Sequence, residues 1–328
     1  MPTIETVTGP VEADRLGRTL MHEHVFILSP EHAANEGRNG WWDEEQRVED
    51  AVRRLAALHR RGIDAIVDPT VWGLGRDVHR LRRIAERVDL RIVVATGVYI
   101  HEELPHHYAY RGPGLLVDVP EPMVEDFVRD IEVGIAGTGI RAGVLKCAID
   151  APGLTPAVER VARAVAEAHL RTGVPITVHT SAAARSGGVA LDLFESVGVD
   201  PGDVVVGHAG DSNDLDYLTG LADRGALLGM DRFGLDVFNP ERDRIATVAA
   251  LAARGYADRM VLSHDTACFL DYFGAAHDQV RATVTPNWHY EHISDTVLPA
   301  LRDAGVTDDQ LCLMLVDNPR RYLSGGQA

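Results

Sequence analysis

Cysteine is scarce and scattered: the chain of 328 residues has three, Cys147, Cys268 and Cys312. An odd number at unrelated spacings excludes a disulfide framework, and a reducing cytoplasm is the expected location. No apolar run reaches the roughly 18 residues that a membrane-spanning helix needs, and no signal-peptide pattern opens the sequence. Positive charge is in deficit, with 32 Lys and Arg against 49 Asp and Glu and a net charge of −17. Without a basic run, such a surface repels both nucleic acid and anionic membranes, so neither is an expected partner. Low-complexity segments, linkers and short internal repeats are absent as well.

What remains is an ordinary globular composition, 45% hydrophobic and 25% charged, in a chain long enough to bury a sizeable core. Apolar, β-rich runs alternate along it with amphipathic helical ones. The strands are expected at Thr19–Val25, Ala65–Thr70, Arg91–Tyr99, Ala142–Ile149, Pro175–Thr180, Val204–Ala209, Ala226–Phe233 and Met260–Thr266. Helical spacing follows each of the first seven, as in Glu44–Arg61 with its apolar Val48, Val52, Leu55 and Leu58. A long loop, Ala267–His292, and a helix near Asp308–Leu323 close the chain. Strands alternating with helices imply parallel pairing, and eight such units predict an α/β fold, a (β/α)8 TIM barrel forming one domain over residues 1–328. The competing doubly wound sheet usually carries a glycine-rich phosphate turn after its first strand, and none is present.

A barrel places its site at the C-terminal ends of the strands. The first strand carries His22 and His24, which at spacing i, i+2 share a face. The fourth carries Lys146, the fifth ends in His179, the sixth in His208 and the eighth in Asp265. Tyr99 ends the third strand and Arg232 the seventh. Imidazoles and carboxylates are ligands of zinc, cobalt, iron or manganese. Lys146 is the odd member, because an ammonium in an apolar strand beside metal ligands is doubly unfavourable. Reaction of the amine with carbon dioxide removes the conflict: the resulting N6-carboxylysine is an anion whose two oxygens can bridge two cations about 3.5–4 Å apart.

With these residues in place, the sequence resembles the phosphotriesterase family of the amidohydrolase superfamily. The resemblance spans nearly the whole chain through LGRTLMHEHV, GVLKCA, ITVHT, VGHAGD, MDRFG, VLSHD and DNPRR. It implies two divalent metal ions per chain, zinc by default, with His22, His24 and Asp265 on the more buried ion, His179 and His208 on the more exposed one, and carboxylated Lys146 bridging them. It implies that Asp265 is also the general base, and that the protein is a homodimer. The short connection after strand seven, Gly234–Asn239, and the long segment after strand eight resemble the phosphotriesterase-like lactonases. By that likeness the substrate is an N-acyl homoserine lactone or a related γ- or δ-lactone, opened by a metal-bridging hydroxide that attacks the ring carbonyl. Quorum quenching and a weak promiscuous phosphotriesterase activity go with it. The alternative is an aryldialkylphosphatase or carboxylesterase with an organophosphate or ester as main substrate. The same likeness gives Tyr99 and Arg232 catalytic and substrate-binding roles and adds Cys268, Tyr272 and Trp288 as substrate contacts, with Cys268 a bystander thiol rather than a nucleophile.

Four further expectations come from residue character alone. Glu23 faces away from the metals and pairs with the helical layer. His264 is structural. His101, His106 and His107 form a solvent-exposed loop cluster. Trp41 and Trp42 are exposed aromatics near the first βα loop, available to a dimer face or a substrate rim.

Overall fold

The computed structural model describes residues 2–36 and 42–325. Eight parallel strands form one sheet: β1 (Thr19–Leu20), β2 (Ala65–Asp68), β3 (Arg91–Gly97), β4 (Val144–Ile149), β5 (Ile176–Thr180), β6 (Val204–Gly207), β7 (Leu227–Met230) and β8 (Met260–Leu262). Spatial order follows sequence order, and the Met21 N–H donates to the Leu262 carbonyl at 3.2 Å, bringing the first strand back to the last. The architecture is the expected TIM barrel.

Alternation along the strands divides the core. Ala65, Val67, Val93, Ala95, Val144, Val205, Leu227 and Val261 fill the barrel interior, and Tyr322 from the terminal helix plugs its lower end with its hydroxyl 3.1 Å from Thr177 Oγ1. The intervening Ile66, Ile92, Val94, Leu145, Cys147, Val178 and Leu228 pack outward on the helices. The helices start where the chain supplies caps: Asp43, Asp77, Thr155 and Asp214 each accept a backbone N–H of the first turn. Two strands approach unusually closely beside Lys146. A Cβ on Gly97 would lie 1.9 Å from the Lys146 carbonyl oxygen, so no other residue fits there.

Two expectations are corrected. Thr19–Val25 is not one strand: the ladder breaks after Leu20, and His24–Ile27 pairs instead, in parallel, with Ala267–Leu270. The switch arises because the Glu23 N–H turns to the Val67 carbonyl while the His24 N–H donates to Thr266 O. Consequently 267–292 is not a plain loop. It comprises that strand, a turn and a helix over His277–Thr283, tied down by the buried Arg281, which donates to Ala267 O, Thr266 Oγ1 and the Trp288 carbonyl. The terminal helix also differs, widening to a π-helical turn at Leu313–Asp317 before Pro319, which has no N–H to continue an α-helical ladder. Asn318 of the DNPRR stretch, fully buried, donates to the carbonyls of Ala257 and Met260 at 2.9 and 2.8 Å, fastening this helix beneath β8.

Trp41 lies outside the described residues. Trp42 is buried, contrary to expectation, with ring centroids 5.3 Å from Phe26 and 5.5 Å from Phe269. No helix among the described residues is long and apolar enough to cross a membrane.

Candidate active site

Inward positions at the top of the barrel become polar in register with the apolar ones below. Lys146 follows Val144 by two residues, and His179 follows Thr177 in the same way. Three side chains reach the mouth by a different device. His208, Arg232 and Asp265, just after β6, β7 and β8, all adopt left-handed backbone with φ of 62°, 63° and 54°. Such conformations cost energy in residues other than glycine and are retained where surrounding bonds enforce them, commonly at functional sites.

The six expected ligands converge. Asp265 Oδ1 is 3.3 Å from His24 Nε2 and 3.5 Å from His22 Nε2, and these three form a group able to hold a cation. Lys146 Nζ is 3.4 Å from His22 Nε2, and His208 Nε2 is 2.8 Å from His179 Nδ1. All except Asp265 are buried, and Asp265 itself is only 14% exposed.

Behind the rings stands a set of partners that the sequence reading did not assign. Thr70 Oγ1 bonds His24 Nδ1 at 2.7 Å and is itself held by Asp68. Asp231 accepts the His208 backbone N–H at Oδ2, 3.0 Å away, and bonds its Nδ1 through Oδ1 at 2.8 Å, and the same Oδ2 lies 3.2 Å from His22 Nδ1. Asp231 thus holds two of the histidines in place. Asp150, after β4, bonds His179 Nε2 at 3.2 Å and pairs with the half-exposed His101 at the same distance. With their outward nitrogens occupied, His24, His179 and His208 each present the other nitrogen to the centre, as metal-binding imidazoles do. The one signal available in the sequence was position, since Asp231 and Asp150 sit at strand ends.

Arg232 donates from Nε to Asp265 Oδ2 at 3.0 Å and from a terminal nitrogen to Asp211 at 2.8 Å. Fully buried Arg244 holds Asp211 in turn, so four alternating charges run from the helical layer to Asp265. Burial opposes ionisation of Asp265, but His22, His208 and Arg232 outweigh it and keep the carboxyl well below its ordinary range. Burial lowers the Lys146 amine to about 8, with Asp265 and Asp231 opposing only in part. Burial likewise pulls His179 down to about 4 against the pull of Asp150. For His24 burial loses to the Asp265 and Asp68 carboxylates, and the ring rises to about 9.

A cavity of about 380 Å³ opens above this floor. Tyr99 lines one side, its ring edge-on to His179 with centroids 5.3 Å apart. Ile27, Leu74, Leu235, Leu270, Phe273 and Trp288 form apolar walls, and Tyr272, Val237, Phe238 and Val284 stand exposed around the mouth. Cys268 does not line the cavity: it is buried with its thiol against the Tyr290 hydroxyl, while Leu270, further along the same strand, lines the pocket. His106 and His107 are exposed on a short helix, His107 stacked on Trp72. Glu23 is not paired with the helical layer. Its fully buried carboxylate bonds Ser263, His264 and Thr266.

A β/α barrel with imidazoles, a lysine and an aspartate gathered at the strand ends is the arrangement of the metal-dependent hydrolases. Comparison narrows the class. The phosphotriesterase family model matches residues 2–323. The chain is 54% identical over 321 residues to a phosphotriesterase homology protein of Mycobacterium tuberculosis, covering 98% of this chain and 97% of that one. It is 34% identical to an aryldialkylphosphatase of Saccharolobus solfataricus, covering 96% and 97%. The solved phosphotriesterase structure from Mycobacterium tuberculosis superposes with a TM-score of 0.95 at 53% identity over 98% of both chains. The chain belongs to the phosphotriesterase family.

Proposed function

We propose that the protein is a lactonase that opens N-acyl homoserine lactones and related γ- or δ-lactones, with weak activity on phosphotriesters. The observation that supports this most is the division of the cavity: the imidazoles, Lys146, Arg232 and Asp265 gather at its floor, and the walls are mostly apolar. A neutral molecule with one electrophilic head and an aliphatic tail suits that shape. The short Gly234–Asn239 connection shares the walls and mouth with the segment after β8, through Leu235, Val237 and Phe238.

His22, His24 and Asp265 would hold one divalent cation, His179 and His208 the other, with Lys146, carboxylated, between them. Such a pair supplies Lewis acidity towards the ring carbonyl and a water that ionises near neutral pH. The chain's own residues do the rest. Asp265 takes the proton of the attacking water through Oδ1 or Oδ2 and returns it to the leaving ring oxygen. Arg232 Nε holds that carboxylate in place. Tyr99 walls the site over His179 and orients the lactone ring, and the apolar walls exclude water around the tail.

The printed name of the 34% identical relative, an aryldialkylphosphatase, favours a second reading in which phosphotriesters are the main substrate. Specificity constants for a series of lactones of graded chain length, run beside paraoxon on the metal-loaded protein, decide between them. A higher constant for the best lactone supports the proposal, and acid release from no lactone overturns it.

A further inference from the structure

Glu23 stands between two of the expected ligands in sequence, yet no step above uses it. Its carboxylate is completely buried and accepts four hydrogen bonds. Oε1 takes the Ser263 hydroxyl at 2.9 Å, the His264 backbone N–H at 2.8 Å and the His264 Nδ1 at 2.7 Å, and Oε2 takes the Thr266 N–H at 3.2 Å. The tautomer of His264 follows from its other side. Nε2 accepts the Ile293 N–H at 2.9 Å, so the ring proton sits on Nδ1 and points at Glu23.

The two backbone amides that Glu23 holds are those on either side of Asp265, whose left-handed backbone needs holding. The same contact reaches the histidines. Ser263 Oγ accepts the His22 N–H at 2.8 Å while donating to Glu23, and the Asp265 N–H donates to the His22 carbonyl at 2.9 Å. The segment bearing His22 and His24 is therefore bonded directly to the segment bearing Asp265. Among the described residues, Glu23 makes no hydrogen bond to His179 or His208. A carboxylate is the group required, because four donors converge on its two oxygens. A glutamine of the same shape would turn its own N–H2 against one of them.

We propose that Glu23, with His264 as its proton-bearing partner, is the positioning residue for the more buried of the two cations. It fixes Asp265 relative to His22 and His24 and leaves the exposed cation to other residues. The inference rests on the two-ion reading above. Partners behind metal ligands typically contribute 10–100-fold in affinity, and here that effect falls on one site of two.

The test is titration of metal-free protein with Co2+, followed by visible absorption and by metal content after dialysis against a chelator series, for wild type, E23Q and S263A. The expected result is two ions on wild type and one tight ion on E23Q, the other weakened about tenfold or more, with S263A intermediate. E23Q that retains both ions at wild-type chelator midpoints overturns the proposal. So does loss of both ions in parallel by folded E23Q, since that marks a general role in the fold. If E23Q is not recovered folded, S263A decides: selective loss of one ion supports the proposal, and equal or no loss overturns it. A wild-type chain that binds no second ion contradicts the two-ion reading instead.

Discussion

Lys146 Nζ lies 3.4 Å from His22 Nε2, both side chains buried at the floor of the barrel mouth. Two cationic groups cannot share that distance without water. The structure relieves the conflict by burial, which lowers the His22 ring and brings the Lys146 amine down to about 8. A neutral amine is the form that adds carbon dioxide.

Carboxylation of Lys146 is therefore expected to become faster as pH rises through about 8. Incubation of metal-free protein with 13C-bicarbonate and a divalent cation, followed by 13C NMR, should show a carbamate carbon that Lys146→Met lacks. The same shift acts on stability. In the metal-free protein the folded state binds fewer protons than the unfolded chain between pH 8 and the ordinary 10.5 of a lysine, so this residue's contribution rises with pH across that window and is lost as pH falls through 8. Denaturant midpoints of metal-free wild type and Lys146→Met at pH 7.5 and 9.5 check the sign, as approximate conditions on either side of the shift.

Asp265→Asn is expected to leave the fold intact, because asparagine tolerates the left-handed backbone that Asp265 occupies at φ 54°. Loss of the general base should lower kcat by about 100-fold or more. Thermal melts beside single-turnover rates separate the two effects.

Asp231→Asn should weaken the cation on His179 and His208. Asp231 takes the backbone N–H of His208 on one oxygen and its Nδ1 on the other, and an asparagine has only one oxygen to accept with. A loss of about 10–100-fold in affinity is expected, read by chelator competition.

Phe273→Ala should raise KM for long-chain lactones with little change in kcat, because Phe273 walls the cavity and packs on the apolar cluster of Leu235, Leu270 and Trp288. Short-chain lactones should be nearly unaffected. A fall in kcat equal for all chain lengths would show that the wall also positions the ring.

Asn318→Ala removes the donor for two buried carbonyls, Ala257 O and Met260 O. A loss of about 2–4 kcal/mol is expected, read from chemical denaturation at constant metal load.

Much of this site was legible in the sequence because period-two alternation carries straight up the barrel wall. The residues that place Val144 and Thr177 in the core place Lys146 and His179 at the mouth. Alternation fails where the backbone leaves the strand. The break after Leu20 moved His24 onto a second, short ladder, and left-handed turns at His208, Arg232 and Asp265 are invisible to a periodic reading. Glu23 was assigned to the helical layer for the same reason: its true partners, Ser263 to Thr266, reach it only because the chain turns there. Proximity to Asp265 in sequence suggests a pocket position for Cys268, and nothing in the sequence shows that the Tyr290 hydroxyl covers its thiol away from the cavity. An exposed Trp42 is the sequence expectation because nothing in the sequence shows that Phe26 and Phe269 enclose it.

The most direct test of the two-cation centre is anomalous diffraction from crystals of the metal-loaded protein at the absorption edge of the bound metal. The expected result is two peaks, one among His22, His24 and Asp265 and one beside His179 and His208, with density for a carboxylated Lys146 between them. A single peak, or none, over an unmodified Lys146 amine would contradict it.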